Sequence, residues 1–164
     1  QQKDSGEPGP RTELDFWRMR LQKITSITEQ LRTKERKQVF NLLQSVARVS
    51  QDAPGQGRQN VFISLRRWKQ VDIGITEAFN EAKDNVKYLS SLEKFIEPLY
   101  TGSPTTIIET LPALMNACQM ILTISRYYNT TERMTKLFTK ITNQMITTCK
   151  ACVLEGEEPD SLWT

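Results

Sequence analysis

The strongest chemical pattern in the sequence is Cys149-Lys-Ala-Cys152, a CxxC pair with Cys118 as the remaining cysteine. A structural zinc site needs four ligands, and with no histidine in the chain Cys118 alone is left to join the pair. A thioredoxin-type dithiol needs a helix N-terminus to stabilise its thiolate, whereas this pair falls near the C-terminal end of a helical pattern. All three are expected to be core cysteines. The lack of histidine also removes the commonest general base, and no glycine-rich phosphate loop is present. Glu77 and Glu81, one helical turn apart, read as an exposed helix face rather than an acid and base pair. No catalytic, metal-binding or cofactor-binding residue is assigned, and no cofactor is expected.

The cluster Arg66, Arg67, Trp68, Lys69 interleaves an aromatic with cations, as some nucleic-acid binders do. Trp68 falls on a helical stripe, however, so its basic neighbours read as a solvated flank and nucleic acid is not expected as a partner. Asn129-Thr130-Thr131 matches a glycosylation sequon, which acts only on a secretory route. The net charge of +3 divides into +4 over residues 1–82, with 14 basic and 10 acidic side chains, and −1 over the remainder, with 8 and 9. With 38% hydrophobic and 25% charged residues, the composition suits helices that are half exposed or covered by neighbours. No signal peptide and no apolar run approaching ~20 residues is evident, so a reduced cytoplasmic setting without a membrane is expected. The chain starts at Gln1 and stops after Leu162, Trp163 and Thr164, which reads as an excerpt of a longer protein.

The elements that must position these residues are helical throughout. Residues 1–10, with two glycines and two prolines, read as a flexible linker. Thr12 is a plausible N-cap for a first helix whose stripe is Leu14, Trp17, Leu21, Ile24, Ile27 and Leu31. The pattern resumes at Val39, Phe40 and Leu43, and nothing between forces a break, so residues 12–50 form one bent helix or two. An interior loop is expected at about 50–60, in SQDAPGQGRQ. Beyond it Val61, Leu65, Trp68 and Ile75 lead into Phe79, Ala82, Val86, Leu89 and Ile96, one long helix over about 61–97 with Pro98 past its last turn. Gly74 costs it only about 1 kcal/mol relative to alanine.

A further stripe, Ile107, Leu111, Leu114, Cys118, Ile121 and Ser125, is widened by Ile108, Met115 and Leu122 into a broad apolar face. Pro112 there implies a kink or a new helix start. Thr130 or Thr131 can cap a last helix carrying Met134, Leu137, Ile141, Met145, Cys149 and Cys152, followed by an acidic connection at 155–164. Strand-type alternation is absent, so the fold class is all-α, an elongated helical bundle over 11–154 with a long central helix.

KDNVKYLSSLEKFIEPLY at 83–100, SRYYNTTERM at 125–134 and TNQMI at 142–146 resemble the N-terminal tail of dynein heavy chains. TELDFWRMR at 12–20, WKQVDIGITEAFNEAKDN at 68–85 and LEKFIEPLY at 92–100 look most like an axonemal outer-arm heavy chain, of the gamma type. The resemblance covers residues 11–164 and implies a segment of a stalk-like tail, remote from the ATP-driven ring. It implies partners too: other heavy chains, intermediate and light chains, and docking-complex proteins on the doublet microtubule of a ciliary or flagellar axoneme. On the matched motifs the candidate structural or partner-interface residues are Trp17, Trp68, Asn85, Lys87, Tyr88, Glu93, Tyr128, Asn129, Glu132 and Arg133. They either cap helices and bond to neighbouring helices, or face outward toward another chain. The alternative is a free-standing helical adaptor that grips a partner helix in a groove.

Overall fold

The computed structural model describes residues 9–49 and 56–156. Among them are six helices and no strand: α1 Pro10–Leu31, α2 Lys34–Val49, α3 Gln56–Ser90, α4 Glu93–Thr101, α5 Pro104–Ile124 and α6 Thr131–Gly156. The fold is all-α. The described residues fall into two compact units, unit one from 9–18 and 83–156 and unit two from 19–49 and 56–82.

Unit one carries the buried core. Ile96 and Leu99 of α4, Ile107, Leu114, Cys118 and Ile121 of α5, and Met134, Leu137 and Ile141 of α6 are buried, with α4 packed on both α5 and α6. These are the stripes read from the sequence. Leu14 and Trp17 of α1 and Leu89 of α3 complete the buried set, together with Leu92 between α3 and α4.

Several boundaries differ from the expectation, each for a local reason. Residues 1–8 of the expected linker lie outside the described residues, but Gly9 and Pro10 are buried and Pro10 opens α1. Thr12 is not the cap: its hydroxyl donates to the Gly9 carbonyl at 2.6 Å, which also accepts from Glu13 N–H. Proline at the first helical position forfeits only an N–H that would be unpaired anyway. A Cβ at Gly9 would sit 2.5 Å from Tyr100 Oη, so a larger residue there would make the Tyr100 side chain shift.

Residues 12–49 contain two helices, not one. Thr33 separates them, its hydroxyl accepting from Arg36 N–H at 3.5 Å to cap α2. Residues 50–55 of the expected interior loop lie outside the described residues, while α3 already begins at Gln56, so 56–60 are helical.

The long helix expected over 61–97 ends at Ser90, and Pro98 lies inside α4 instead of beyond its end. At the break Ser91 and Leu92 N–H bond three residues back, to Tyr88 and Leu89, and Ser91 Oγ donates to the Tyr88 carbonyl at 2.6 Å. Serine competing for a backbone carbonyl weakens a helix interior. The apolar register survives because Leu89 and Leu92 are three apart in a tight turn just as in a helix, and both are buried.

α5 runs unbroken through Pro112, so no new helix starts there; Ser103 caps it by accepting from Thr106 N–H at 3.3 Å, with Pro104 at its start. An 18-residue window of this 21-residue helix has mean hydropathy 1.4, so by length and composition it is long and apolar enough to cross a membrane, which corrects the expectation that no such run exists. Thr106, Glu109, Thr110 and Asn116 interrupt the run to the eye without lowering its average far. In this fold its Leu114, Cys118 and Ile121 are buried within unit one.

Candidate functional site

The largest set of linked polar side chains described in unit one joins α1, α3 and α6 with the turn after α5. Trp17 is 1% exposed, and its indole N–H donates to Tyr128 Oη at 2.8 Å. Tyr128, also 1% exposed, donates in turn to Glu13 Oε1 at 2.6 Å. The other oxygen of Glu13 accepts from the Lys140 ammonium. Glu13 and Trp17 are four apart and so share one face of α1, Tyr128 lies in the turn between α5 and α6, and Lys140 flanks the buried Leu137 and Ile141 of α6.

A second arm starts at Ser125, which ends α5. Its hydroxyl accepts from Tyr128 N–H at 3.0 Å and donates to Asn85 Oδ1 at 3.3 Å. Asn85, 1% exposed, leaves its Nδ2 buried with no hydrogen-bond partner among the described residues. Such an orphan donor costs about 1–3 kcal/mol. Around the network, rings meet edge to face: Trp17 with Tyr127 at 4.7 Å, Tyr127 with Tyr128 at 4.9 Å and Phe16 with Trp17 at 5.2 Å. Arg133 closes it from outside, its guanidinium 4.2 Å over the Tyr127 ring and bonded to the Tyr127 carbonyl at 3.1 Å.

The structure therefore brings together Trp17, Asn85, Tyr128 and Arg133 from the ten sequence candidates. The others lie apart. Tyr88 is half-buried at the end of α3, where its carbonyl receives Ser91, and Lys87 beside it is exposed. Exposed Glu93 takes Arg18 on both oxygens at 3.1 Å. Asn129 is exposed, its N–H bonded to the Ser125 carbonyl. Glu132 pairs with Lys136 at 2.7 Å across one turn, a bond that lowers the carboxyl pKa and raises that of the ammonium. Both are fully exposed, so the pair contributes little to stability. Trp68 belongs to unit two, half-buried beneath Arg36 at 5.1 Å and 6.2 Å from Phe40.

Sequence reasoning passed over Glu13, Ser125 and Lys140. Ser125 carried a signal, as the one polar member of the α5 stripe. Glu13 lies in the first turn of α1, where an acid suits the dipole, and its four-residue spacing to Trp17 is the signal that could have found it.

Two buried groups of unit one titrate in ways that can be measured. Burial pushes the Cys118 thiol up to about 11 from an ordinary 9.0. Burial first, then the bond to Glu13, raises the Tyr128 phenol well above its usual range. In both cases the unfolded chain loses its proton at lower pH than the folded one. Their contribution is therefore complete below the unfolded pKa and fades as pH climbs toward the folded value. Stability is expected to fall between pH 9 and 11, by about 2–3 kcal/mol for Cys118 alone, in denaturant titrations across that range. Cys118→Ala should flatten the earlier part of that slope. Cys149 and Cys152 are half-buried in the last two turns of α6, and all three cysteines are free thiols.

Comparison with known proteins supplies what the side chains do not. The family model for the dynein heavy chain N-terminal region 1 matches residues 1–164. The dynein gamma chain of the flagellar outer arm of Chlamydomonas reinhardtii is 46% identical over 154 residues, which is 94% of this chain and 3% of that protein. Dynein axonemal heavy chain 5 of Rattus norvegicus is 44% identical over 149 residues, 91% of this chain and 4% of that protein. Dynein axonemal heavy chain 8 of Homo sapiens is 42% identical over 156 residues, 94% of this chain and 3% of that protein. The chain thus spans a few per cent of the length of these relatives.

Proposed function

Because this chain belongs to the dynein heavy chain N-terminal region 1 family, we propose that it is a non-catalytic tail segment of an axonemal dynein heavy chain. It works in the cytoskeleton of cilia or flagella, in the assembly and anchoring of the outer arm on the doublet microtubule. Its partners are other heavy chains, intermediate and light chains, and docking proteins. ATP turnover belongs to other parts of the heavy chain.

The observation that carries this reading is the family match over the whole chain, with proteins named for the axoneme and the flagellar outer arm among its relatives. The side chains support it physically. The network from Asn85 and Ser125 to Tyr128, Trp17, Glu13 and Lys140 ties α1, α3 and α6 to the turn after α5, which supports a unit one held in a defined form. Outside that core, Ile108, Met115 and Leu122 lie along one exposed side of α5, at 66%, 49% and 37%. Covering such a stripe gains about 25 cal/mol per Å² before the costs of association.

The test is deletion of these 164 residues from the heavy chain in ciliated cells. Intermediate chain is expected to stop co-sedimenting with the shortened heavy chain, while ATPase activity per motor is retained. Normal co-sedimentation and normal outer arms after the deletion would overturn the reading.

A further inference from the structure

We propose that unit two receives an acidic amphipathic helix in the groove where the α1–α2 corner faces α3. This rests on the reading of the chain as an assembly segment and names the surface and the chemistry of one partner.

Unit two has few fully buried residues among those described. Among its described hydrophobic residues only Ala47 and Ala82 are buried, while Leu42, Val71 and Ile73 are 65%, 59% and 58% exposed. Three amphipathic stretches are side by side with little dry interior between them, an arrangement that a further helix completes.

The groove has a volume of about 470 Å³ and is largely apolar, formed by Leu31, Trp68 and Val71, with Ser64, Arg36, Arg67 and Asp72 at its edges. That is room for about three anchors at i, i+4 and i+7 of one helix. Arg36 and Asp72 neutralise each other at 2.6 Å, whereas Arg67 has no ion pair among the described residues. Arg36 Nε is buried with no hydrogen-bond partner among the described residues. Arg66 and Lys69 lie exposed beside it on α3.

Charge selects the occupant. Residues 19–82 hold 11 basic and 6 acidic side chains, a net +5. A second copy of this surface brings the same sign and is repelled, and an acidic helix is attracted.

The experiment places a photo-crosslinking amino acid at position 64 of the intact heavy chain in its assembled complex, with crosslinked peptides identified by mass spectrometry. The expected product is a segment with apolar residues at helical spacing and an excess of Asp and Glu. Its yield should fall about tenfold with Arg67→Glu and persist with Arg67→Lys. Arg67 is exposed, so neither change threatens folding. No crosslink, a crosslink to residues 19–82 of a second heavy chain, a segment without acidic excess, or a yield indifferent to Arg67→Glu overturns the proposal. If the groove fails in any of these ways while deletion of the segment still abolishes co-sedimentation, the assembly reading stands. Assembly without the segment removes that reading instead.

Discussion

Replacing Trp17 with alanine is expected to cost about 3–5 kcal/mol of stability, read as the shift of the urea midpoint by far-ultraviolet circular dichroism at constant slope. Trp17 is 1% exposed and lies between the Phe16 and Tyr127 rings. Alanine removes the largest buried side chain of unit one and with it the donor to Tyr128. Trp17→Phe separates these effects, because it keeps a ring but not the N–H. A loss of about 1–2 kcal/mol is expected for it, the size of one buried hydrogen bond with a modest loss of packing. A cost below about 1 kcal/mol for Trp17→Ala would mean that the unit does not depend on this contact for its fold.

Removal of Glu13 should have the next largest effect, about 2–4 kcal/mol for Glu13→Ala, because two groups lose their partner at once. Tyr128 Oη would have no acceptor, and the Lys140 ammonium would be left without its counter-ion. Their side chains are only partly open to water, at 15% for Glu13 and 27% for Lys140, so solvent does not fully compensate. Pairing the change with Lys140→Met tests the mechanism. With the charge gone as well, the double variant should lose clearly less than the sum of the single losses, since groups in one network are coupled. Strict additivity in urea titrations would show that Glu13 and Lys140 act independently.

These two residues also show how far the chain could be read directly. Leu14, Trp17, Leu89, Ile107, Leu114, Leu137 and Ile141 were placed on buried faces by spacing alone, and all are buried. That worked because a helix puts residues three and four apart on one side whatever surrounds it. The same signal was blind to the break at Ser91, where the spacing of Leu89 and Leu92 is equally compatible with a turn. It was blind to Pro98 for a related reason: the break moves the proline into α4 instead of leaving it beyond a longer helix. It also could not separate the large apolar residues that end buried from those such as Leu42 and Ile108, which are 65% and 66% exposed.

Spacing and composition were therefore enough for the helical class, the core stripes and, through the motifs, the dynein resemblance. Pairing was a matter for the folded chain. Trp17 and Tyr128 are 111 positions apart and Glu13 and Lys140 are 127 apart. Helical periodicity couples residues within about one turn and carries no information about which distant helix lies opposite. That choice, and with it which polar groups are buried together and which apolar faces stay open for partners, is made only when the helices pack.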